Sequence, residues 1–347
     1  MNGNLPLRIG LAGLGTVGCG ALRLLEDERD IITRRAGRGI EVVAVSARNK
    51  NKKRECDFSR FRFVDDPKEL AALPDVDVIV EVMGGESDPA LGLVRASLVS
   101  GKSVVTANKA LLAMHGIELA SLAEKNSAKL MIEAAVLGGV PVIKTLREGL
   151  AANTVTEIFG ILNGTCNYIL TRMEETGETF ADILQDAQKM GYAEAEPSLD
   201  VDGFDAAHKL CLLSALAFGV KPDMSAVRVS GIRAVTFADL QTARKSGARL
   251  RLVGRAVRQE NGKIHAVVEP MAIPETSMLA HLQGTLNGVS IQGSHAGEIF
   301  ICGRGAGAEP TASAVVADLV DLARGGGSPF PFGIKTEELV FGLEKGE

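Results

Sequence analysis

The sequence has no tryptophan and only two tyrosines in 347 residues, so it offers few ring faces on which nucleic-acid bases stack. It also lacks a basic excess: 38 Lys and Arg stand against 43 Asp and Glu, a net charge of −5, which gives no electrostatic case for a nucleic-acid partner. Its five cysteines (Cys19, Cys56, Cys166, Cys211 and Cys302) contain no Cys-x-x-Cys pair, which argues against a zinc site. Their odd number and wide spacing fit reduced thiols in the cytosol. The N-terminus shows no signal-peptide apolar segment, and no apolar run reaches transmembrane length, so a cytoplasmic protein with no membrane partner is expected.

What is present is a composition of 46% hydrophobic and 23% charged residues with 39 glycines, that of a soluble globular chain with many tight turns. The length allows two domains. Leu7-Arg-Ile-Gly-Leu-Ala12 reads as a buried strand. It runs into Gly13-Leu-Gly15-Thr16-Val17-Gly18, after which residues 17–28 have helical spacing. This is Gly-x-Gly-x-x-Gly between a strand and a helix, the context in which it binds a dinucleotide. The first glycine permits the turn, the second a close approach of pyrophosphate, and the third the packing of helix on strand; the helix N-terminus favours the anion.

A second strand over 40–46 ends in Ser46-Ala-Arg48-Asn-Lys50. No acid stands there to bind the ribose hydroxyls, and the cations would suit a 2′-phosphate, with Arg48 the first choice. A solvated basic loop is the equal alternative. Strands over 77–83, 102–107 and 128–133 alternate with helices over 89–99 and 111–125, the pattern of a doubly wound parallel sheet. Met83, Thr106-Ala107-Asn108-Lys109 and Glu133 fall at strand carboxyl ends, where such sheets hold ligands.

After residue 140 the pattern becomes α+β. A helical stretch over 141–149 precedes a strand over 155–162, which ends at Asn163-Gly164-Thr165. Helices follow over 166–175, 179–190 and 204–218, then antiparallel strands over 248–258, 263–271, 288–294 and 297–302, with Asn261-Gly262 as a hairpin turn. A glycine-rich loop over 303–313 leads to a last helix over 312–323. The expected division is a dinucleotide-binding domain over 1–140, a catalytic and dimerisation domain over 141–310, and a helix and tail over 311–347 that return to the nucleotide domain.

The densest signal lies in 191–209. Glu194, Glu196, Asp200, Asp202, Asp205 and Lys209 crowd ahead of an apolar run. A helix puts Asp205 and Lys209 on one face at i and i+4. Such a lysine can donate a proton or hold a polar substrate; the alternative is an acidic helix start with a surface ion pair.

With these motifs in order, the chain resembles the homoserine dehydrogenase family over nearly its whole length. The resemblance rests on 13–18, Thr-Ala-Asn-Lys-Ala at 106–110, Glu-Ala-Ala-Val-Leu-Gly-Gly-Val-Pro at 133–141, Asn-Gly-Thr-Cys-Asn-Tyr at 163–168, the 191–209 segment, and Gly-Arg-Gly-Ala-Gly at 303–307. It implies interconversion of L-aspartate 4-semialdehyde and L-homoserine, on the route to threonine, methionine and isoleucine, with NADP preferred or NAD as cofactor. The small-molecule substrate would be held by Glu194 and Asp200, with Gly164 and Thr165 near the nicotinamide. Lys209 would supply the proton, oriented by Asp205. Lys109 would anchor the substrate carboxylate, approach the cofactor, or share the proton role.

The cofactor would be bound by Gly13, Gly15, Thr16, Val17, Gly18, Arg48, Thr106, Ala107 and Lys109, with Gly303 and its loop closing over it. Glu133 with the carbonyls of Val136, Gly138 and Val140 resembles the family's sodium or potassium site, although Glu133 also reads as a satisfied strand-end carboxylate. A homodimer or homotetramer is implied. Glu196 departs from the family, which more often has aspartate there. Many bacterial members carry a C-terminal amino-acid-sensing domain; this sequence stops at Glu347, either because that domain is absent by nature or because the sequence ends before it, so threonine feedback through it is not expected for this chain.

Two rival readings remain. A different semialdehyde or amino-acid reductase on the same plan would need a catalytic Cys or His, and Cys166 lies beside Thr165 with no histidine near it in sequence. A non-catalytic nucleotide sensor would be expected to lack the lysines or carboxylates.

Overall fold

The computed structural model describes residues 5–344. The four residues read as leading into the first strand, and the last three of the tail, lie outside the described residues. By packing, the chain divides into two units. The first comprises the described residues up to Lys144 with Ala306–Leu339, and the second comprises Thr145–Gly305 with the segment from Val340 onward.

The first unit holds a parallel sheet of β1 (Leu7–Ala12), β2 (Ile40–Ser46), β3 (Arg62–Val64), β4 (Val78–Glu81), β5 (Ser103–Thr106) and β6 (Leu130–Met131). Its order is β3-β2-β1-β4-β5-β6. Around it run α1 (Thr16–Asp27), α2 (Arg29–Ala36), α3 (Glu69–Ala72), α4 (Ala90–Val99), α5 (Lys109–Lys125) and the short α6 (Val142–Lys144). A parallel strand covered on both faces must be apolar throughout; Ile79, Val80, Val104 and Val105 are fully buried. The order in which successive strands are added reverses at β1, which lies between β2 and β4. Register there places Ala12 beside Glu81 and Glu81 beside Thr106, so the expected ligand-binding strand ends form one row.

The second unit is built on a mixed sheet of β7 (Val155–Ile161), β8 (Arg228–Val229), β9 (Ala248–Arg258), β10 (Ile264–Pro274), β11 (Leu286–Gly293), β12 (Gly297–Arg304) and β13 (Leu343–Glu344). The order is β12-β11-β7-β9-β10-β13, with β8 also on β10. The β9–β10 hairpin turns at Gly262, whose φ of +81° requires glycine. Its helices are α7 (Gly164–Thr176), α8 (Phe180–Lys189), α9 (Ser198–Val201), α10 (Phe204–Phe218) and α11 (Phe237–Lys245). Near the end of α7 the buried Glu174 meets Arg244, Arg249 and Arg251 at 3.0 to 3.3 Å. The fully buried Arg251 is tolerable only because a carboxylate is brought to it.

The chain then rejoins the first unit as α12 (Ala308–Ala323). Its Val315 and Leu319 pack with Leu22 of α1 and with Ile9 and Leu11 of β1, each such side chain contributing about 1.5–3 kcal/mol. A Cβ on Gly20 would lie 2.9 Å from the Ala308 carbonyl oxygen, so glycine there lets α1 and α12 touch.

Three expectations need correction. The glycine-rich loop over 303–313 shrinks to 305–307. Gly303 is within β12, opposite Asn287, because the β11–β12 ladder continues to Leu286–Arg304. The last helix starts at Ala308, not at 312, since Pro310 in its first turn forfeits no bond. The cysteines are not all free: Cys19 on α1 and Cys56 in the loop after β2 form a disulfide, with Cα atoms 5.2 Å apart. That loop folds back over α1, with Arg54 donating to the Leu14 carbonyl at 3.0 Å, and the fold thus joins thiols that sequence spacing separates.

Thiol titration of the unfolded, unreduced chain should find three free cysteines, Cys166, Cys211 and Cys302, and all five after reduction. Five before reduction would show Cys19 and Cys56 to be unlinked.

Candidate active site

The glycine-rich turn has the geometry its spacing implied. Gly13 has φ +108°, and a Cβ there would meet the Val82 carbonyl oxygen at 2.6 Å. A Cβ on Gly18 would sit 1.9 Å from the Gly13 oxygen, so only glycine lets α1 close onto the turn. Around Gly15 there is open space within 4 Å. No side chain caps α1 and no acid occupies its first turn, so the N–H groups at Thr16 and Val17 face outward with the positive helix end. These residues fit a dinucleotide pyrophosphate. Arg48 is exposed just past β2.

A feature not foreseen from sequence sits next to this turn. Glu81, fully buried at the end of β4, accepts from the Thr106 hydroxyl at 2.6 Å and from the Met83 and Gly84 N–H groups at 2.8 and 3.3 Å. Burial pushes its carboxyl up, against the pull of those bonds. Thr106 in turn accepts the Asn108 N–H at 3.0 Å, and Asn108 caps α5 by accepting from Leu111 at 3.1 Å. Lys109, half buried, therefore opens α5 two residues earlier than periodicity suggested. Ala107 is held through its N–H to the Glu81 carbonyl at 3.2 Å. A strand-end acid followed by Gly-Gly was the signal that could have revealed Glu81.

Glu133 is also buried. Its carboxylate accepts the N–H groups of Ile143 and Lys144 at 3.1 and 2.8 Å. Burial, reinforced by Asp318, pushes it up to about 7. In the turn that follows, Leu137 and Gly138 adopt φ of +56° and +46°. Val140 uses its carbonyl for Val142 at 2.7 Å, whereas among the described residues no hydrogen bond ends on the carbonyls of Val136 or Gly138. Free carbonyls beside an acid with lone pairs to spare fit a hard monovalent cation.

In the second unit, α10 spans Phe204–Phe218, matching the apolar pattern, and brings Asp205 and Lys209 together. Lys209 Nζ donates to Asp205 Oδ2 at 2.8 Å and to the Leu162 carbonyl at 2.8 Å; both side chains are only 9% exposed. This is no surface ion pair. The lysine uses two of its three hydrogens. Asn163, at the end of β7, donates to Asp200 and Asp205, each at 2.7 Å. Gly164 lies so close to Thr285 that a Cβ would meet its carbonyl at 2.6 Å. Thr165 donates to the Tyr192 carbonyl at 2.8 Å, tying the acidic segment to α7.

The structure sorts the five carboxylates. Asp200 and Asp205 converge on Asn163, Asp202 pairs with Arg233, Glu196 accepts from Ser198, and Glu194 is exposed on the same segment. Cys166 is no nucleophile. Burial, then the charges of Asp200 and Asp205, push its thiol well up, and it donates to the Asp200 carbonyl at 3.1 Å. The reductase reading that required a reactive cysteine fails on this point.

A groove of about 590 Å³, lined by Ile117, Glu124, Lys125, Phe330 and Lys335 among others, contains none of these residues. Among the described residues no helix is long and apolar enough to cross a membrane.

Comparison with known proteins agrees with this geometry. A family model for homoserine dehydrogenase matches residues 141–320, and one for the homoserine dehydrogenase NAD-binding domain matches 13–133. The homoserine dehydrogenase of Neisseria gonorrhoeae is 48% identical over 320 residues, covering 92% of this chain and 73% of that protein. That of Pseudomonas aeruginosa is 46% identical over 319 residues, with the same coverage of each. A crystal structure of a homoserine dehydrogenase from Thiobacillus denitrificans superposes with a TM-score of 0.93 at 42% identity, covering 98% of this chain and 79% of that one. A hyperthermophilic archaeal homoserine dehydrogenase in complex with NADPH does so at 0.75 and 27% identity, covering 91% and 97%. The chain belongs to the homoserine dehydrogenase family and is an NAD(P)-dependent oxidoreductase that interconverts L-homoserine and L-aspartate 4-semialdehyde.

Proposed function

We propose that Lys209 carries the proton of this reaction. The observation that supports this is the buried Asp205–Lys209 pair, with one ammonium hydrogen left for a substrate oxygen. A nicotinamide cofactor held at the Gly13–Gly18 turn would supply the hydride chemistry at the alcohol or aldehyde carbon. In reduction the Lys209 ammonium donates to the forming alkoxide; in oxidation its neutral amine removes the hydroxyl proton. Asp205 orients it. Asp200, fixed by Asn163, and Glu194 hold the substrate ammonium and hydroxyl, beside Gly164 and Thr165. Lys109, at the start of α5, binds the substrate carboxylate or the cofactor.

Gly13, Gly15, Thr16, Val17 and Gly18 would cradle the pyrophosphate, with Thr106 and Ala107 shaping the neighbouring strand end and Gly303 as a further cofactor contact. Arg48 favours NADP over NAD. A sodium or potassium ion would be held by Glu133, Val136, Gly138 and Val140, and would fix that turn. The partly exposed Phe159, Met271, Leu286 and Phe300 around the second sheet's apolar cluster suit a homodimer or homotetramer joined there. The small charged substrate and the nicotinamide pool fit a cytoplasmic step toward threonine, methionine and isoleucine.

Absorbance at the reduced-nicotinamide band, followed with L-homoserine and NADP or NAD in turn, tests the assignment. Growth of the band is expected, faster with NADP; cofactor binding without any growth would support the sensor reading instead. Lys209→Ala should lower kcat by about 100-fold or more with cofactor affinity retained, whereas near-normal turnover would transfer the proton role to Lys109. Arg48→Ala should raise KM for NADP about tenfold and leave NAD unchanged, given an exposed guanidinium that meets only a 2′-phosphate. Equal losses with both would remove Arg48 from that contact. Exhaustive dialysis into buffer free of sodium and potassium should reduce activity, and either ion should restore it; unchanged turnover would refute the cation site.

A further inference from the structure

The end of β7 touches both members of the buried ion pair. The Leu162 carbonyl accepts from Lys209 Nζ at 2.8 Å, and the next residue, Asn163, donates to Asp205 at 2.7 Å. Asn163 is only 3% exposed. Its Oδ1 accepts the Cys166 N–H at 2.8 Å as the cap of α7, which fixes the amide so that Nδ2 faces the acids. An amide nitrogen has two hydrogens; here one goes to Asp205 and the other to Asp200. Two neighbouring carboxylates repel each other, and an unassisted pair would take up a proton or move apart. A donor fork between them removes that tendency without adding charge. The strand that carries it is itself fixed, paired with β9 on one side and β11 on the other.

We infer that Asn163 is the positioning residue of this site: its amide sets the Asp205 carboxylate, and through it the Lys209 ammonium, while its second hydrogen locks Asp200 into the same constellation. The inference rests on the reading of Lys209 as proton carrier. Asn163 does not itself meet the reacting atoms. It determines where the proton starts and where the substrate-holding acid stands, so it couples proton delivery to substrate binding.

Asn163→Asp separates this role from helix capping. Aspartate keeps the accepting oxygen for Cys166 and is a good N-cap, but it replaces the donor fork with a third carboxylate. Asn163→Ser also keeps a capping oxygen, removes the fork and adds no charge. Asn163→Asp should lower kcat by about 100-fold, the scale of a small misplacement of reacting groups, and raise KM for L-homoserine several-fold. Asn163→Ser should lower kcat about tenfold. In both, the solvent deuterium isotope effect on kcat should exceed that of the wild type, because proton transfer becomes limiting, and NADPH affinity by fluorescence titration should stay within about twofold.

A merely structural cap predicts silence in both variants. Folded, NADPH-binding variants with kcat near the wild-type value and an unchanged isotope effect would overturn the inference. If Asn163→Asp does not fold, Asn163→Ser decides by the same readouts. Lys209→Ala is measured in parallel. Near-normal turnover there would overturn the proton-carrier reading and this inference with it; loss there beside undisturbed Asn163 variants would overturn positioning alone.

Discussion

An ammonium and a carboxylate buried together impose a strict condition. Each must find fixed partners for its remaining hydrogens and lone pairs, or the fold loses several kcal/mol to desolvation. Lys209 and Asp205 meet it through the carbonyl of Leu162 and the amide of Asn163, two consecutive residues at the end of one strand. Much of the second unit's packing follows from bringing α10 to that strand end. Gly254 on β9 lacks a side chain where one would strike Leu162 at 2.6 Å, with Leu210 of α10 in ordinary contact at 3.6 Å. α10 is nearly all apolar beyond Lys209 and is closed by Gly219 in the left-handed region, so its core face holds the polar start in place.

The first unit meets a different condition, the close approach of backbone to an anion. That demands absent side chains rather than paired ones. Gly13 and Gly18 are forced by contacts that a Cβ would violate, while Gly15 is bordered by open space. The three glycines therefore do separate work. This explains why the motif was readable: the steric requirement acts directly on residue type, and no other residue satisfies it.

Legibility divides along the same line. Elements with long, regular apolar periods were placed within a few residues, as with α10, β7 and the β9–β10 hairpin. Short ones were not. β3 is three residues at a sheet edge, and α11 buries only Leu240 and Ala243 in nine residues, although its Thr236–Asp239 capping box was a usable sign. In the site, i and i+4 spacing revealed Asp205 and Lys209 because helical geometry is local. Glu81 and the Cys19–Cys56 link could not be read that way, since their partners lie 25 and 37 residues off along the chain. Nor could composition say which of five neighbouring acids converge. Arg233, which removes Asp202 from the set, belongs to a segment 31 residues further on.

The two units arrive at a common local device. In each, a strand ends in an asparagine that caps the following helix, Asn108 for α5 and Asn163 for α7. In each, that asparagine turns its amide nitrogen toward acidic side chains, Glu81 in the first and Asp200 with Asp205 in the second. Asn108 reaches Gly85 O at 2.7 Å and Glu81 only at 3.5 Å, the limit of a hydrogen bond, whereas Asn163 holds Asp200 and Asp205 both at 2.7 Å. The difference matches the lysines. Lys109 is half buried at the first turn of the helix its asparagine caps, so the cap sets its backbone position directly. Lys209 stands on a different helix, and apart from its bond to the Leu162 carbonyl it is reached from Asn163 only by way of Asp205. A lysine held by that indirect route needs short bonds at every link, and the tight fork at Asn163 is the link that α10 cannot provide from its own residues.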